Sequence, residues 1–242
     1  MVGDRLRGSL LLPPKGPMMS MSSLETPSGV LERLARIDTT SLVDAGQGRL
    51  RVLPTALRPI RTGLRMVGRA LTIDAHDDLM PMLAGLRLAR PGDVLVVKGH
   101  DQYAVAGELF ATEALRRGVT GIVIDGRCRD SRTLAQLDLP VYARGVVPTA
   151  CPARAQPVIQ VPITIGGIDI RPGDLVLGDD DGIVVASDDE VLAWLEGAEL
   201  IQRREEALQA AIASGSSLFD SLNYDDHLAA LEAGEDSRLA FS

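Results

Sequence analysis

Residues Gly107 to Asp130 read GELFATEALRRGVTGIVIDGRCRD, and the order of elements in this stretch decides the fold. Gly107-Glu108 opens a helix, and an acidic residue in the first turn suits the positive end of the helix dipole. Phe110 and Ala114 share a face at i, i+4, as do Ala111 and Leu115. Gly118 sits where a left-handed C-terminal cap belongs. Ile122-Val123-Ile124 is an unbroken β-branched run, the pattern of a strand covered on both faces. Asp125-Gly126 is expected to turn the chain there. Arg129 and Asp130 then lie just past the strand's carboxyl end, where ligands of α/β sheets bind.

Upstream, Arg90-Pro91-Gly92-Asp93 forms a turn and Val94-Leu95-Val96-Val97 a second buried strand. Strand, helix, strand from 94 to 124 is a βαβ crossover, so this part of the sheet is parallel. Further out, Met66 to Asp74 reads as a strand and Leu79 to Ala89 as a helix, with the folded chain beginning at Val30 to Leu34. Asp38 or Thr39 is placed to cap a helix through Ala45. Downstream, Ser131 to Leu137 reads as a short helix and Val141 to Ala143 as a short strand. Between Val158 and Val185, short apolar runs alternate with Gly166-Gly167, Arg171-Pro172-Gly173-Asp174 and Asp179-Asp180-Asp181-Gly182. That spacing predicts an antiparallel layer. A helix follows from Asp188 to about Ala213, with Gly215 beyond it, and a short helical piece covers His227 to Leu231. Residues 1–24, with Pro13, Pro14 and Pro17, read as a disordered tail. The folded unit spans 25–217, and 218–242 is a C-terminal extension.

At 45% hydrophobic but 3% aromatic, the chain fills its core with Val, Ile, Leu and Ala. A net charge of -8 without a Lys/Arg-rich run excludes nucleic acid and anionic membrane as the main partner. Cys128 and Cys151 make neither a disulfide framework nor a zinc site, which fits a reduced, cytoplasmic setting. His76, His100 and His227 lack metal-ligand spacing. Asp179 to Gly182 lacks the spacing of a calcium loop and reads as a hairpin turn. Cys128 has no adjacent base, and Ser131 reads as a helix cap.

Glu108, Arg129 and Asp130 remain. The N-H groups from Gly107 to Phe110 open a helix and so form a site for a carboxylate or phosphate. A nearby arginine stabilises an oxyanion. An aspartate beside it can hold a hard divalent cation, with water in the other positions. The set matches chelation of a small 2-oxo acid and stabilisation of its enolate. The competing reading is a surface Arg-Asp pair with a capping Glu.

Gly107-Glu108-Leu109, Gly118-Val119, Gly121 to Gly126 and Arg129-Asp130 together resemble the signature of the RraA-like family. That family includes the class II 4-hydroxy-4-methyl-2-oxoglutarate aldolases, also called 4-carboxy-4-hydroxy-2-oxoadipate aldolases. Twenty positions separate the acidic residue from the arginine. The resemblance extends through Pro91 to Val97, Gly166-Gly167, Pro172 to Asp174 and Gly178 to Val185, over roughly residues 30–217. It implies an α/β fold of the swivelling β/β/α type, an αββα sandwich with a mixed sheet and a C-terminal helical extension. It also implies a homotrimer or homohexamer with sites between subunits. Asp130 would then ligate Mg²⁺ or Mn²⁺, and Arg129 would contact the pyruvyl oxygen. The backbone of Gly107, Glu108, Leu109 and Phe110 would hold the pyruvate carboxylate. The acid at 108 is commonly Asp in the characterised aldolases; Glu108 is longer, and its implied role is to orient metal-bound water, which acts as acid and base. A glutamate from a neighbour's C-terminal helix completes the site, with Glu205 first and Glu206 second. The implied reaction is retro-aldol cleavage of a 4-hydroxy-2-oxo acid to pyruvate, accompanied by oxaloacetate decarboxylation. The alternative within the family is a protein regulator that inhibits a ribonuclease. Those members lack the aspartate after the arginine, so Asp130 favours the enzyme.

Overall fold

The computed structural model describes residues 29–241, so the tail expected at 1–24 lies outside the described residues. The chain opens with helices α1 (Val30–Leu34) and α2 (Thr39–Gly46), short strands β1 (Arg51–Val52) and β2 (Arg58–Pro59), and the long strand β3 (Met66–Asp74). Helix α3 (Met80–Leu88), β4 (Asp93–Lys98), β5 (Ala104–Ala106), α4 (Glu108–Arg116), β6 (Gly121–Cys128), α5 (Ser131–Leu134) and β7 (Val141–Val146) follow. The second half holds β8 (Val158–Ile159), β9 (Ile163–Ile165), β10 (Ile168–Ile170), β11 (Leu175–Gly178) and β12 (Ile183–Ala186). It ends with helix α6 (Asp188–Ala213), a 3₁₀ turn (Leu218–Ser221) and helix α7 (Tyr224–Glu232).

One mixed sheet runs β1-β12-β11-β3-β4-β6-β7-β2, with β5 added to β6, β8 added to β3, and β9-β10 a separate hairpin. Strands β3, β4, β6 and β7 are parallel neighbours, as the crossover from 94 to 124 requires. Side-chain alternation then divides the core into three slabs. Leu71 and Ile73 of β3, Leu95 and Val97 of β4, and Ile122 and Ile124 of β6 pack against α3 and α4. The opposite faces of those strands, with Ala70, Val94, Val96 and Val123, meet Val176 and Val185 from β11 and β12 and the β9-β10 hairpin. The outer faces of β11 and β12, with Leu175, Leu177, Val184 and Ala186, pack against α1, α2 and α6. Helices, two β layers and helices again make the αββα sandwich.

Caps explain where the helices start. Asp38 accepts the Ser41 N–H at 2.6 Å and opens α2. Ser187 and Glu190 form a capping box at the head of α6. The Asp179 carboxylate accepts both the N–H and the hydroxyl of the buried Thr39, at 2.8 and 2.7 Å, tying the β11–β12 turn to α2. Asp179 N–H closes that turn on the Gly182 carbonyl, so the acidic cluster is a hairpin turn.

Three expectations need correction. Asp125-Gly126 does not end the strand: β6 continues to Cys128, with a register irregularity between Ile124 and Arg127. It continues because β5 and β7 supply partners on either side, and those ladders outweigh the local turn preference. Ser131 does not cap α5; Asp130 holds the cap position, with φ 59°. The helix expected over Ser131 to Leu137 is shorter, ending at Leu134.

Candidate active site

Both halves of the site come from the unit between β5 and α5. Strand β5 pairs with β6 and leads directly into Gly107 and α4. The Arg129 N–H donates to the Ala106 carbonyl at 3.0 Å, and the Val147 N–H donates to the Cys128 carbonyl at 3.0 Å. The end of β6 is therefore clamped between β5 and the exit of β7. This holds Arg129 and Asp130 across from the N-terminus of α4.

Asp130 is left-handed, a conformation Asp tolerates better than most residues. It makes no side-chain cap to its own helix α5. Instead its Oδ2 accepts the Glu108 N–H at 3.1 Å and lies 3.4 Å from Arg129 Nε. The carboxylate thus sits at the positive end of α4. Gly107 makes this approach possible. A Cβ built there would lie 2.3 Å from Asp130 Oδ2 and 2.8 Å from Arg129 Cγ. With φ -155°, the backbone at Gly107 is extended, so the requirement is for space and not for a special conformation.

Glu108 is fixed by a residue that the sequence did not mark. Thr133 of α5 donates its hydroxyl to Glu108 Oε2 at 2.9 Å. Only its place three residues after Asp130 hinted at proximity. The backbone reading also needs refinement. Glu108 N–H is already taken by Asp130, and the first bond within α4 runs from Ala111 N–H to the Gly107 carbonyl. The N–H groups of Leu109 and Phe110 are the ones left for an incoming anion.

Two cavities meet at Arg129 and Asp130. One, of about 40 Å³, is lined by Leu79, Ala106, Gly107, Leu109, Phe110 and Ala150 beside the pair. The other, of about 320 Å³, adds Ser131 and Val146 to Pro148. Leu109 projects outward at 73% exposure. Arg144 is not part of this wall; it pairs with Asp125.

Glu205 is elsewhere. It lies on α6, in the outer layer opposite α3 and α4, with two β layers between. Although Glu205 is exposed, partial loss of water against the body and then the nearby Asp38 and Asp44 carboxylates raise its pKa. It does not join Glu108, Arg129 and Asp130 within one chain. Cys128, beside Arg129, is buried, and burial pushes its thiol up to about 11, which removes it as a thiolate nucleophile.

Among the described residues no three His, Cys, Asp or Glu side chains converge as a metal cage. Asp130 suits a different kind of ion. It is a hard oxygen donor, half-exposed beside a cavity, and its contacts to Glu108 and Arg129 both fall on Oδ2. A hydrated Mg²⁺ takes one or two carboxylates and keeps its waters.

The Aldolase/RraA family model matches residues 39–185, more than half of the chain. The chain belongs to the RraA-like family. It is 36% identical over 179 residues to a Halalkalibacterium halodurans protein provisionally named 4-hydroxy-4-methyl-2-oxoglutarate aldolase, covering 73% of this chain and 85% of that one. An uncharacterised Pseudomonas syringae protein of known structure superposes with a TM-score of 0.73 at 29% identity, over 80% of this chain and 96% of that one. Streptomyces coelicolor RraAS2, described as an unusual member of the RNase ES inhibitor RraA family, superposes with a TM-score of 0.67 at 27% identity, over 77% and 99%. Among the described residues no helix is long and apolar enough to cross a membrane.

Proposed function

We infer that this RraA-like protein is a lyase that cleaves a 4-hydroxy-2-oxo acid, such as 4-hydroxy-4-methyl-2-oxoglutarate, releasing pyruvate. The single observation that carries this reading is Asp130 beside Arg129, its carboxylate drawn onto the N-terminus of α4. The substrate carboxylate binds the Leu109 and Phe110 N–H groups at that positive helix end. This directs the adjacent 2-oxo group at Arg129. As the C3–C4 bond breaks, the electron pair moves onto the C2 oxygen, and the guanidinium stabilises the developing enolate. Glu108, held by Thr133, relays protons through water: one leaves the C4 hydroxyl and one arrives at C3 to complete pyruvate. Asp130 would hold Mg²⁺ or Mn²⁺, which would supply Lewis acidity for the developing enolate. Oxaloacetate decarboxylation passes through the same enolate, so Arg129 and the helix end serve it too.

Glu205 enters this scheme from a second copy, in a homotrimer or homohexamer, because its own site lies across two β layers. A second reading, a ribonuclease-binding regulator, draws on the likeness to RraAS2. The deciding experiment is a screen of 4-hydroxy-2-oxo acids with Mg²⁺ and enzymatic pyruvate detection. Pyruvate release that stops in EDTA, returns with Mg²⁺ or Mn²⁺, and falls about a hundredfold in Asp130→Asn supports the lyase. Full activity in chelator rejects the metal-dependent mechanism. No pyruvate from any substrate, together with inhibition of a ribonuclease, selects the regulator.

A further inference from the structure

Asp78 is buried, at 5% exposure, and its carboxylate bonds to three backbone N–H groups. One oxygen accepts the Met80 N–H at 2.8 Å, at the head of α3. The other accepts the Arg154 N–H at 2.7 Å and the Ala155 N–H at 3.0 Å. Burial pulls its pKa up, but the three N–H bonds and then the Arg154 charge outweigh it, so the group lies below the ordinary carboxylate value. Asp78 is thus an ionised clamp between two segments distant in sequence: the head of α3, and the strap from Val147 to Ala155 that follows β7. A buried carboxylate is costly unless its oxygens are bonded, so neither segment is free to leave it.

Both segments wall the smaller cavity beside Arg129 and Asp130, Leu79 from α3 and Ala150 from the strap. Strand β5 fixes the strap at Ala150: the Ala104 N–H donates to the Thr149 carbonyl at 2.8 Å, and the Cys151 N–H to the Ala104 carbonyl at 3.2 Å. The head of α3 has no such ladder, and Leu79 makes no side-chain cap. It reaches the strap through its own N–H, 2.8 Å from the Pro152 carbonyl, and through the Asp78 carboxylate, which spans Leu79 to take the Met80 N–H. Asp78 therefore sets how far Leu79 stands from Ala150.

What that wall faces follows from the lyase reading, on which this inference rests. The Leu109 and Phe110 N–H groups take the substrate carboxylate and Arg129 the C2 oxygen, so these groups form the polar end of the smaller cavity. Leu79, Ala104, Ala106 and Ala150 are apolar and line its remainder, where C3 lies. We propose that Asp78 is a positioning residue: by holding Leu79 against Ala150 it confines C3 of the bound 2-oxo acid, so that the site forms the enolate of pyruvate and excludes a C3-alkyl homologue such as 2-oxobutyrate. One methylene in an apolar pocket is worth roughly 10–200-fold in selectivity, enough for a displaced wall to be read kinetically.

Asp78→Asn tests this in the full chain. It is isosteric, keeps an oxygen for the Met80 N–H and turns an NH₂ onto the Arg154 and Ala155 N–H groups, so it opens the clamp without leaving a cavity. Asp77→Asn, an exposed neighbour with the same charge change, is the control. Amide hydrogen exchange should quicken at Arg154, Ala155 and the head of α3 in Asp78→Asn, and neither in α4 nor in the control. Exchange of C3 protons in D₂O with Mg²⁺ present, followed by NMR, reads enolate formation. Wild-type protein should exchange pyruvate faster than 2-oxobutyrate, and Asp78→Asn should cut that preference about tenfold. Leu79→Ala should act in the same way, and the double variant should cut it no further than either alone. Unchanged amide exchange at the strap overturns the proposal. So does slowing of both substrates by one factor with the preference intact, which is what a merely structural Asp78 requires. Wild-type protein that exchanges neither substrate rejects the lyase reading and with it the role at C3, while the amide exchange still decides whether Asp78 holds the wall.

Discussion

Replacing Gly107 by alanine isolates the geometry of the site from the stability of the fold. The extended backbone at Gly107 is open to alanine, so no conformational strain arises. The new Cβ, however, starts 2.3 Å from Asp130 Oδ2, where ordinary contact begins at 3.4 Å. The carboxylate must retreat by about 1 Å, which breaks its bond to the Glu108 N–H. Arg129, whose Cγ would lie 2.8 Å away, must move with it. A 1 Å misplacement of a reacting group is worth about a hundredfold in rate. The stability effect is limited to a poorer N-cap, about 1 kcal/mol, or roughly 2–4 °C in a chain of this size. Steady-state pyruvate release and a thermal melt on the same preparation report both quantities. Gly182→Ala, whose Cβ meets nothing within 4 Å, is the matched control and should leave activity unchanged. Gly107→Ala protein with wild-type kcat/KM would refute the placement of Asp130 and Arg129 at the reacting centre.

Arg129→Lys should lower kcat and kcat/KM together by about a hundredfold or more, with unchanged Mg²⁺ affinity, because lysine replaces a planar fork by a point charge. A lowered melting temperature with normal turnover would make Arg129 scaffolding. Thr133→Val should reduce kcat while leaving KM near its wild-type value, since it frees Glu108 Oε2 without touching the anion site; a pure KM effect would contradict this. Asp179→Ala should destabilise the protein by about 1–3 kcal/mol in denaturant titration, because the buried Thr39 N–H loses its acceptor. Cys128 and Cys151, with thiols pushed up to about 11 by burial, should resist a thiol reagent at pH 7.5 and react after unfolding; rapid labelling of the native protein would show either thiol to be accessible.

Much of the fold was legible because its signals are local. The apolar runs at Val94–Val97 and Ile122–Ile124, rich in β-branched residues, fix buried parallel strands. Asp38 and Gly118 mark helix ends through a side chain or the lack of one. Strand β3 runs over the expected Met66–Asp74, and α6 over the expected Asp188–Ala213. What could not be read depends on neighbours distant in sequence. Strand β5 is three small residues in a polar loop, visible only once β6 offers an edge. The extension of β6 past Asp125-Gly126 follows from that same pairing. The Thr133–Glu108 bond depends on how α5 folds back over α4. Glu205 is set apart by the layer order of the sandwich, which no helical periodicity encodes.

The site therefore divides by origin. Glu108, the free N–H groups of α4, Arg129 and Asp130 all belong to one crossover, and forming the β5–β6 ladder brings them together in a single event. That ladder also places the Ala106 carbonyl on the Arg129 N–H, so reaction chemistry and local folding share the same contacts. The groups that face the rest of a substrate come from elsewhere: Val146 to Pro148 from the exit of β7, and in the proposed assembly Glu205 from another copy. Changes in those segments can alter the acid at C4 without disturbing enolate formation at C2. On the proposed reaction, a motif confined to residues 107–130 would specify a pyruvate enolate and leave the other product open. Substrate exchange should accordingly follow substitutions at Val146 and Val147, with oxaloacetate decarboxylation, which needs only the enolate half, retained.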